Sequence, residues 1–488
     1  MDMGADVGTM VRAEGPAQPP GAATQPAVRN PLRWFVFAVV LAANIMDLMD
    51  ATIVNVAGPS IRSALGGGAS TLQWLPAGYT LAFAVFLITG ARLGDMFGRR
   101  RLFLIGSAGF TVMSAACSAA PSMAVLIAFR VLQGAFGALM IPQGFGMLKE
   151  VFAEDEMSKV FGAFGPMMGL SILAAPILAG ALVQANLWGI GWRLVFLINV
   201  PVGIAAFAGA VRVLPRTVAH PGIRLDIGGM VLIGAALTAI IYPLIQGRAA
   251  GWPAWTFAML GAGALLLAAF VVWERHRHGD PLIEPGLLAN RTYTSGIHVA
   301  LAFFGAFGGL LLCVSLFGQL GEGFSPIHAG LTLMAMVVGM IAGMGAGFAL
   351  ISRLGRHLLH LGVAIVAAGA VVLALTVTGA RTASTLDLAP GLFLIGLGAG
   401  ASIGQLFDFI LAGVSMDEVG SASGVLEAVQ QLSSAVGVAA LGTIFFSAFA
   451  EHLPTHALAI TTWACLTPIA AAFALIFRLP MQAREPQI

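Results

Sequence analysis

The sequence predicts an all-α membrane protein, and three of its features carry that expectation. Hydrophobic residues make up 58% of the 488 positions and charged residues only 9%, where a soluble domain carries about 25% charged residues. Apolar runs of about 20 residues, the length needed to cross a bilayer, recur along the chain, and fourteen of them account for nearly all of its hydrophobic content. Basic residues fall in alternate connecting segments, the asymmetry that membrane insertion imposes. A net charge of +2, from 24 basic and 22 acidic residues, leaves no bulk electrostatic reason to expect nucleic acid. Cys117, Cys313 and Cys465 sit in apolar runs, which argues against a disulfide framework.

The stretch 1–31 is rich in Pro, Ala, Gly and Gln and lacks both apolar periodicity and a cleavable signal, so it reads as a disordered tail. Apolar runs then predict spans near 34–57, 75–93, 102–120, 122–143, 160–184 and 193–213, forming a six-helix bundle over 32–213. Two more, near 227–246 and 254–273, lie in a linker over 214–290 as an inserted pair. The last six, near 296–319, 326–350, 358–378, 389–412, 421–447 and 457–477, form a second six-helix bundle over 291–478, followed by a short tail at 479–488. A short internal repeat supports the division. Asp95-Met96-Phe97-Gly98-Arg99 follows span 2 and Ser352-Arg353-Leu354-Gly355-Arg356 follows span 10, each the second loop of a six-span half.

Nineteen of the 24 basic residues, among them Arg92, Arg99, Arg100, Arg101, Arg353 and Arg356, share a side with the amino terminus. Arg62, Arg193, Arg248 and Arg381 fall on the other side, and Arg130 lies within span 4. Lys and Arg are retained on the cytoplasmic side, so both termini are expected in the cytoplasm. Trp34, Trp74, Trp188, Trp192, Trp252, Trp255 and Trp273 fall at span ends, where an amphipathic ring prefers the headgroup zone. Arginine outnumbers lysine 22 to 2 beside abundant Ala and Gly, the usage of a GC-rich bacterial genome, which places the protein in a bacterial plasma (inner) membrane.

Ionisable groups inside the membrane carry the mechanistic information, because a charge there costs several kcal/mol. They are Asp47, Asp50, Arg130, Asp408 and Glu427. Asp50 lies about 11 Å below the outer end of span 1 and Arg130 about 12 Å below that of span 4, so the two can pair. Such a pair either titrates as a cavity opens to one side and then the other, or holds the two spans together permanently. Asp47, three residues before Asp50, shares its helix face as a second proton site or a hydrogen-bonding residue. Glu427 and Gln430 on span 13 read as a polar cavity wall or as helix–helix hydrogen-bonding groups.

Four motifs in order resemble the fourteen-span drug:proton antiporters of the major facilitator superfamily. Span 1 carries Leu48-Met49-Asp50-Ala51-Thr52-Ile53-Val54-Asn55-Val56-Ala57, with Gly58 where the family usually has Leu. The loop after span 2 reads Ala91-Arg92-Leu93-Gly94-Asp95-Met96-Phe97-Gly98-Arg99-Arg100, with Ala91 for Gly and Met96 for Arg. Span 4 has Arg130-Val131-Leu132-Gln133-Gly134-Ala135-Phe136-Gly137, and span 6 opens with Trp192-Arg193-Leu194-Val195-Phe196-Leu197-Ile198-Asn199-Val200-Pro201. In span 5 the family's glycine-rich antiporter motif is replaced small for small, and Gly180 alone of its four glycines survives after Ala175-Pro176.

The resemblance implies a major facilitator fold of two six-helix bundles plus two inserted helices. It implies proton-coupled efflux of amphiphilic or cationic drugs and antibiotics by alternating access, hence a role in antibiotic resistance. Asp50, Arg130 and Asp47 would couple protons, while Glu427, Gln430 and Asn55 would line the cavity. Asp95, Gly98, Arg99 and Arg100 would form a cytoplasmic latch, Asp95 meeting the positive end of a second-half helix. Gly134, Ala175, Pro176 and Gly180 would serve close helix packing. The expected partners are the lipid bilayer, a small-molecule substrate and protons, and the protein would act as a monomer. No phosphate-binding glycine loop and no metal-ligand spacing occurs, so no cofactor is expected and the proton gradient is the energy source. A dedicated transporter of one metabolite, for export or uptake, is the alternative. An enzyme is not expected, since no nucleophile–base pair is evident.

Overall fold

The computed structural model describes residues 31–152, 156, 160, 171, 174–215, 225–277, 282–412, 414 and 419–482. The predicted tail at 1–31 lies outside them but for its last residue, as does most of the cytoplasmic half of predicted span 5.

Among the described residues, thirteen helices are long and apolar enough to cross a membrane. In the first half these are α1 (Arg33–Leu65), α2 (Ala69–Phe97), α3 (Arg99–Ser118), α4 (Met123–Val151) and α6 (Gly191–Val213). The shorter helix α5 (Ala174–Ala185) occupies the place of span 5. The inserted pair is α7 (Ile227–Gln246) and α8 (Ala254–His276). The second half holds α9 (Arg291–Gly321), α10 (Pro326–Leu354), α11 (Arg356–Val377), α12 (Thr385–Leu411), α13 (Val419–Glu451) and α14 (Pro454–Ile476). Helix α1 continues to Leu65 instead of ending near 57, since Pro59 costs it one backbone hydrogen bond and leaves the rest of the ladder intact.

The internal repeat has a backbone counterpart. Gly98 (φ 93°) is the single residue between α2 and α3, and Gly355 (φ 49°) stands alone between α10 and α11. A reversal within one residue requires positive φ, which glycine adopts without a Cβ clash. The same pairings follow in each half: α2 and α3 pack on α4, and α10 and α11 pack on α12. Small residues make the closest crossings, as where Gly134 of α4 lies against the backbone of Tyr79 in α2.

The halves meet along α2 and α13. At the face away from the termini, Gly442 of α13 lies against Gln73 of α2, and Gly180 of α5 against Pro326 and Ile327 of α10. There, too, the Ser315 hydroxyl of α9 donates to the Asn55 carbonyl of α1 at 2.9 Å. That carbonyl is free because its intrahelical donor would have been the missing N–H of Pro59. The inserted α7 leans on both α2 and α13, while α8 packs mainly on α7 and is largely exposed.

Candidate functional site

The first bundle places an ion pair in its interior. Asp50 on α1 and Arg130 on α4 are both 0% exposed, and the guanidinium Nη1 pairs with Asp50 Oδ2. Nη1 also donates to Gln133 Oε1 at 2.8 Å, and Asn199 Nδ2 of α6 donates to Asp50 Oδ1 at 2.7 Å. Gln133 Nε2 donates to Ser114 Oγ of α3 at 2.7 Å, so the network ties four helices together. Taking a charge from water costs several kcal/mol per ion, which an ion pair recovers only where its remaining hydrogen-bonding positions are filled. Both Asp50 oxygens meet that requirement here, whereas Arg130 Nη2 has no hydrogen-bond partner among the described residues.

The network extends to α2 through Tyr79. Its ring centroid lies 4.2 Å from Arg130 Cζ, a cation–π arrangement, and its hydroxyl donates to Asp47 Oδ1. Phe196 of α6 stands 5.7 Å away from the same guanidinium. Asp47, Tyr79, Arg130 and Asp50 therefore form one continuous chain of contacts within the membrane. Glu427 of α13, half-buried, stands close enough to Asp47 for the two carboxyl groups to interact across the seam. Ala428 beside it packs into the apolar cluster of the first bundle.

The other residues singled out from the sequence are distributed as follows. Asn55 is buried at the α1–α9 contact with its side-chain Oδ1 unpartnered among the described residues, and Gln430 is half-buried on α13. Asp408 is exposed near the end of α12. Asp95 pairs with Arg99 of its own loop at 3.0 Å, and Arg99 reaches Glu150 of α4 at 3.5 Å. Among the described residues the partner of Asp95 is thus in its own half, not on a second-half helix. Arg100 donates to the Val211 carbonyl at the end of α6, and Gly98 makes the turn. Ala175 is buried, and Pro176 and Gly180 lie against Gly330 and the Pro326–Ile327 backbone of α10, so the small-residue run of span 5 packs across the seam. Tyr79, Ser114, Gln133 and Asn199 complete the network without having been assigned a role from sequence. Gln133 and Asn199 sit in the quoted motifs, and a polar side chain in an apolar span is the signal that marks them.

Two like-built bundles of apolar helices that meet along a seam define a multi-pass membrane protein. The family model of the Major Facilitator Superfamily matches residues 40–228 and 224–438, and the chain belongs to that superfamily. It is 48% identical over 419 residues to a probable actinorhodin transporter of Streptomyces coelicolor, covering 85% of this chain and 72% of that one. It is 33% identical to a tetracenomycin C resistance and export protein of Streptomyces glaucescens, over 90% of this chain and 80% of that one. It is 31% identical to the multidrug resistance protein Stp of Mycobacterium tuberculosis, over 84% and 75%. Among solved structures, an auto-inhibited POT family peptide transporter superposes with a TM-score of 0.68 at 13% identity, covering 91% of this chain and 95% of that one, a likeness of fold alone.

Proposed function

We propose that the protein exports an antibiotic or related organic compound from a bacterial cell in exchange for protons, by alternating access between its two bundles. The observation that carries this reading is the fully buried Asp50–Arg130 pair, joined through Tyr79 to Asp47 beside the seam. A proton arriving on Asp50 neutralises one member of the pair and leaves a buried cation without its counterion. Such a charge favours whichever packing gives it a new partner or water, and so links protonation to the arrangement of α1, α4 and α6. Asp47 and Glu427 lie in opposite halves within electrostatic reach of each other, so a proton or a cationic substrate between them would bias the seam as well. The relatives named for export or resistance support the outward direction. The relative with 48% identity is named for one compound, which favours a narrow substrate range over a broad one.

The basic-residue asymmetry supports cytoplasmic termini and the plasma membrane as the site. A monomer with no cofactor, driven by the proton gradient and without nucleic-acid partners, completes the reading. Transport of a fluorescent organic cation into everted vesicles, with and without a pH gradient, tests it. Asp50→Asn is expected to abolish gradient-driven accumulation while the protein inserts at its normal level. Full accumulation by a normally inserted Asp50→Asn protein would overturn the proposal.

A further inference from the structure

The inserted pair reads from sequence as free of buried charge, with Asp226 and Glu274 lying just beyond its ends. The structure buries both, to 2% and 0% exposure. Asp226 caps α7 by accepting from Gly229 N at 3.0 Å, and it also accepts from Trp273 Nε1 at 3.0 Å. Arg277 pairs with it at 3.3 Å. Glu274, on the last turn of α8, accepts from Ile283 N through Oε2 at 3.0 Å. Its other oxygen, Oε1, is buried and has no hydrogen-bond partner among the described residues.

That orphan oxygen and the Asp226 carboxyl border the same space beside Gly229. A Cβ placed on Gly229 would lie 2.6 Å from Asp226 Oδ2 and 2.6 Å from Glu274 Oε1, so the two oxygens are no more than twice that distance apart. Two ionised carboxylates in one buried cluster, with one arginine paired to Asp226, leave a buried negative charge uncompensated. A proton shared between them removes the excess and fills the empty position. A metal ion is a poorer occupant, because Arg277 and the Trp273 N–H already point into the same cluster.

We infer that Glu274 holds a proton and donates it from Oε1 to the Asp226 carboxylate, forming a second proton-binding site at the base of the inserted pair. The site joins α7 and α8 to the strand of chain at 282–283 that leads into the second bundle. Loss of the proton sets two carboxylates against each other and loosens that junction. Arg275 and His276 on the same turn of α8 are exposed, and Glu284 follows Ile283 half-buried. The helices packed on α7 carry Arg92 and Asp95 on α2 and Glu427 on α13, and Arg291, Tyr293 and His298 lie on α9, which follows the 282–283 segment in the chain. The Asp226 carboxyl acts on Glu274 directly, and Arg277 is paired to that carboxyl.

Two measurements on the full chain in lipid nanodiscs test the site. Infrared difference spectra near neutral pH should show a protonated-carboxyl C=O band in the parent that Glu274→Gln removes. The glutamine is isosteric and its amide can make the same donation. In a cysteine-free background, Ile283→Cys should label with a maleimide faster as pH rises, beyond the reagent's own pH dependence, by up to about tenfold per pH unit, the limit for one ionising group. Glu274→Gln should flatten that rise. An unchanged C=O region in Glu274→Gln, or the parent's pH profile of labelling retained in it, overturns the inference. If Glu274→Gln does not insert, Asp226→Asn takes its place with the same expectations, because its amide can donate to an ionised Glu274. If neither variant inserts, labelling of Ile283→Cys that shows no such rise in the parent overturns it.

Discussion

Tyr79 shows what single residues contribute to this site. Its ring supports the Arg130 guanidinium while its hydroxyl serves Asp47, so one side chain links the two acids of α1 through α2. Tyr79→Phe keeps the ring and deletes the donor, which is expected to cost about 2 kcal/mol by leaving a buried carboxyl oxygen unsatisfied. Tyr79→Leu also removes the cation–π contact and should lose about 1 kcal/mol more. Thermal unfolding in detergent measures both, and equal losses for the two variants would show that the aromatic face contributes nothing. The depth match of Asp50 and Arg130 was legible because helical rise converts residue counts into depth. Tyr79 was not legible, because its role depends on how α2 is rotated against α4, which no local pattern encodes. Asn55 illustrates the same limit: Pro59, four residues later, announces a free carbonyl, but only the packing of α9 shows that Ser315 takes it.

At the scale of helices, small residues decide which elements touch. Gly134 leaves no room for a Cβ beside the Tyr79 backbone, and Gly345 of α10 faces open space. Gly134→Val is therefore expected to separate α2 from α4, with loss of folded protein, whereas Gly345→Ala should behave as the parent. Size-exclusion profiles of detergent extracts distinguish them, and normal behaviour of Gly134→Val would mean that the two helices do not pack as described. The small-for-small substitutions in span 5 fall under the same physics. Ala175-Pro176 and Gly180 keep the close approach to α10 that a glycine-rich run would provide. The inserted pair was legible as two apolar spans, but their seating on the seam and their buried acids were not. Hydropathy registers that a segment is apolar and is blind to what its ends meet.

For the whole molecule, the described contacts between the halves include a set at the face away from the termini. Asn55–Ser315 and Gln73–Gly442 both lie there, beside a small cleft of about 70 Å³ lined by residues that include Ser70, Gln73 and Arg248. Alternating access requires these contacts to separate during each cycle. A Gln73→Cys/Gly442→Cys pair in a cysteine-free background should oxidise to a disulfide and stop transport, with activity returning on reduction. Undiminished transport by the cross-linked protein would show that the seam stays closed throughout. Sidedness follows from the basic residues. Ser352→Cys should label with an impermeant reagent only from the cytoplasm and Ala249→Cys only from outside, and the reverse pattern would invert the map. The corresponding probe at position 278 lies outside the described residues.

The sequence by itself determined that the chain crosses a membrane many times, in two halves with two helices between them, and that an acid and an arginine share a depth within it. These properties are one-dimensional: apolar length, the count of basic residues and the spacing along a helix of known rise all survive without knowledge of what lies beside each helix. The tertiary structure alone decided that Asp95 engages Arg99, that Tyr79 and Asn199 complete the Asp50 network, and that Glu274 faces Asp226. Those outcomes depend on the rotation of each helix about its axis and on which neighbour fills the gap left by a small residue. In a bilayer, where lipid satisfies an apolar face as well as another helix does, that choice is made by close packing and by the few polar groups that must find partners.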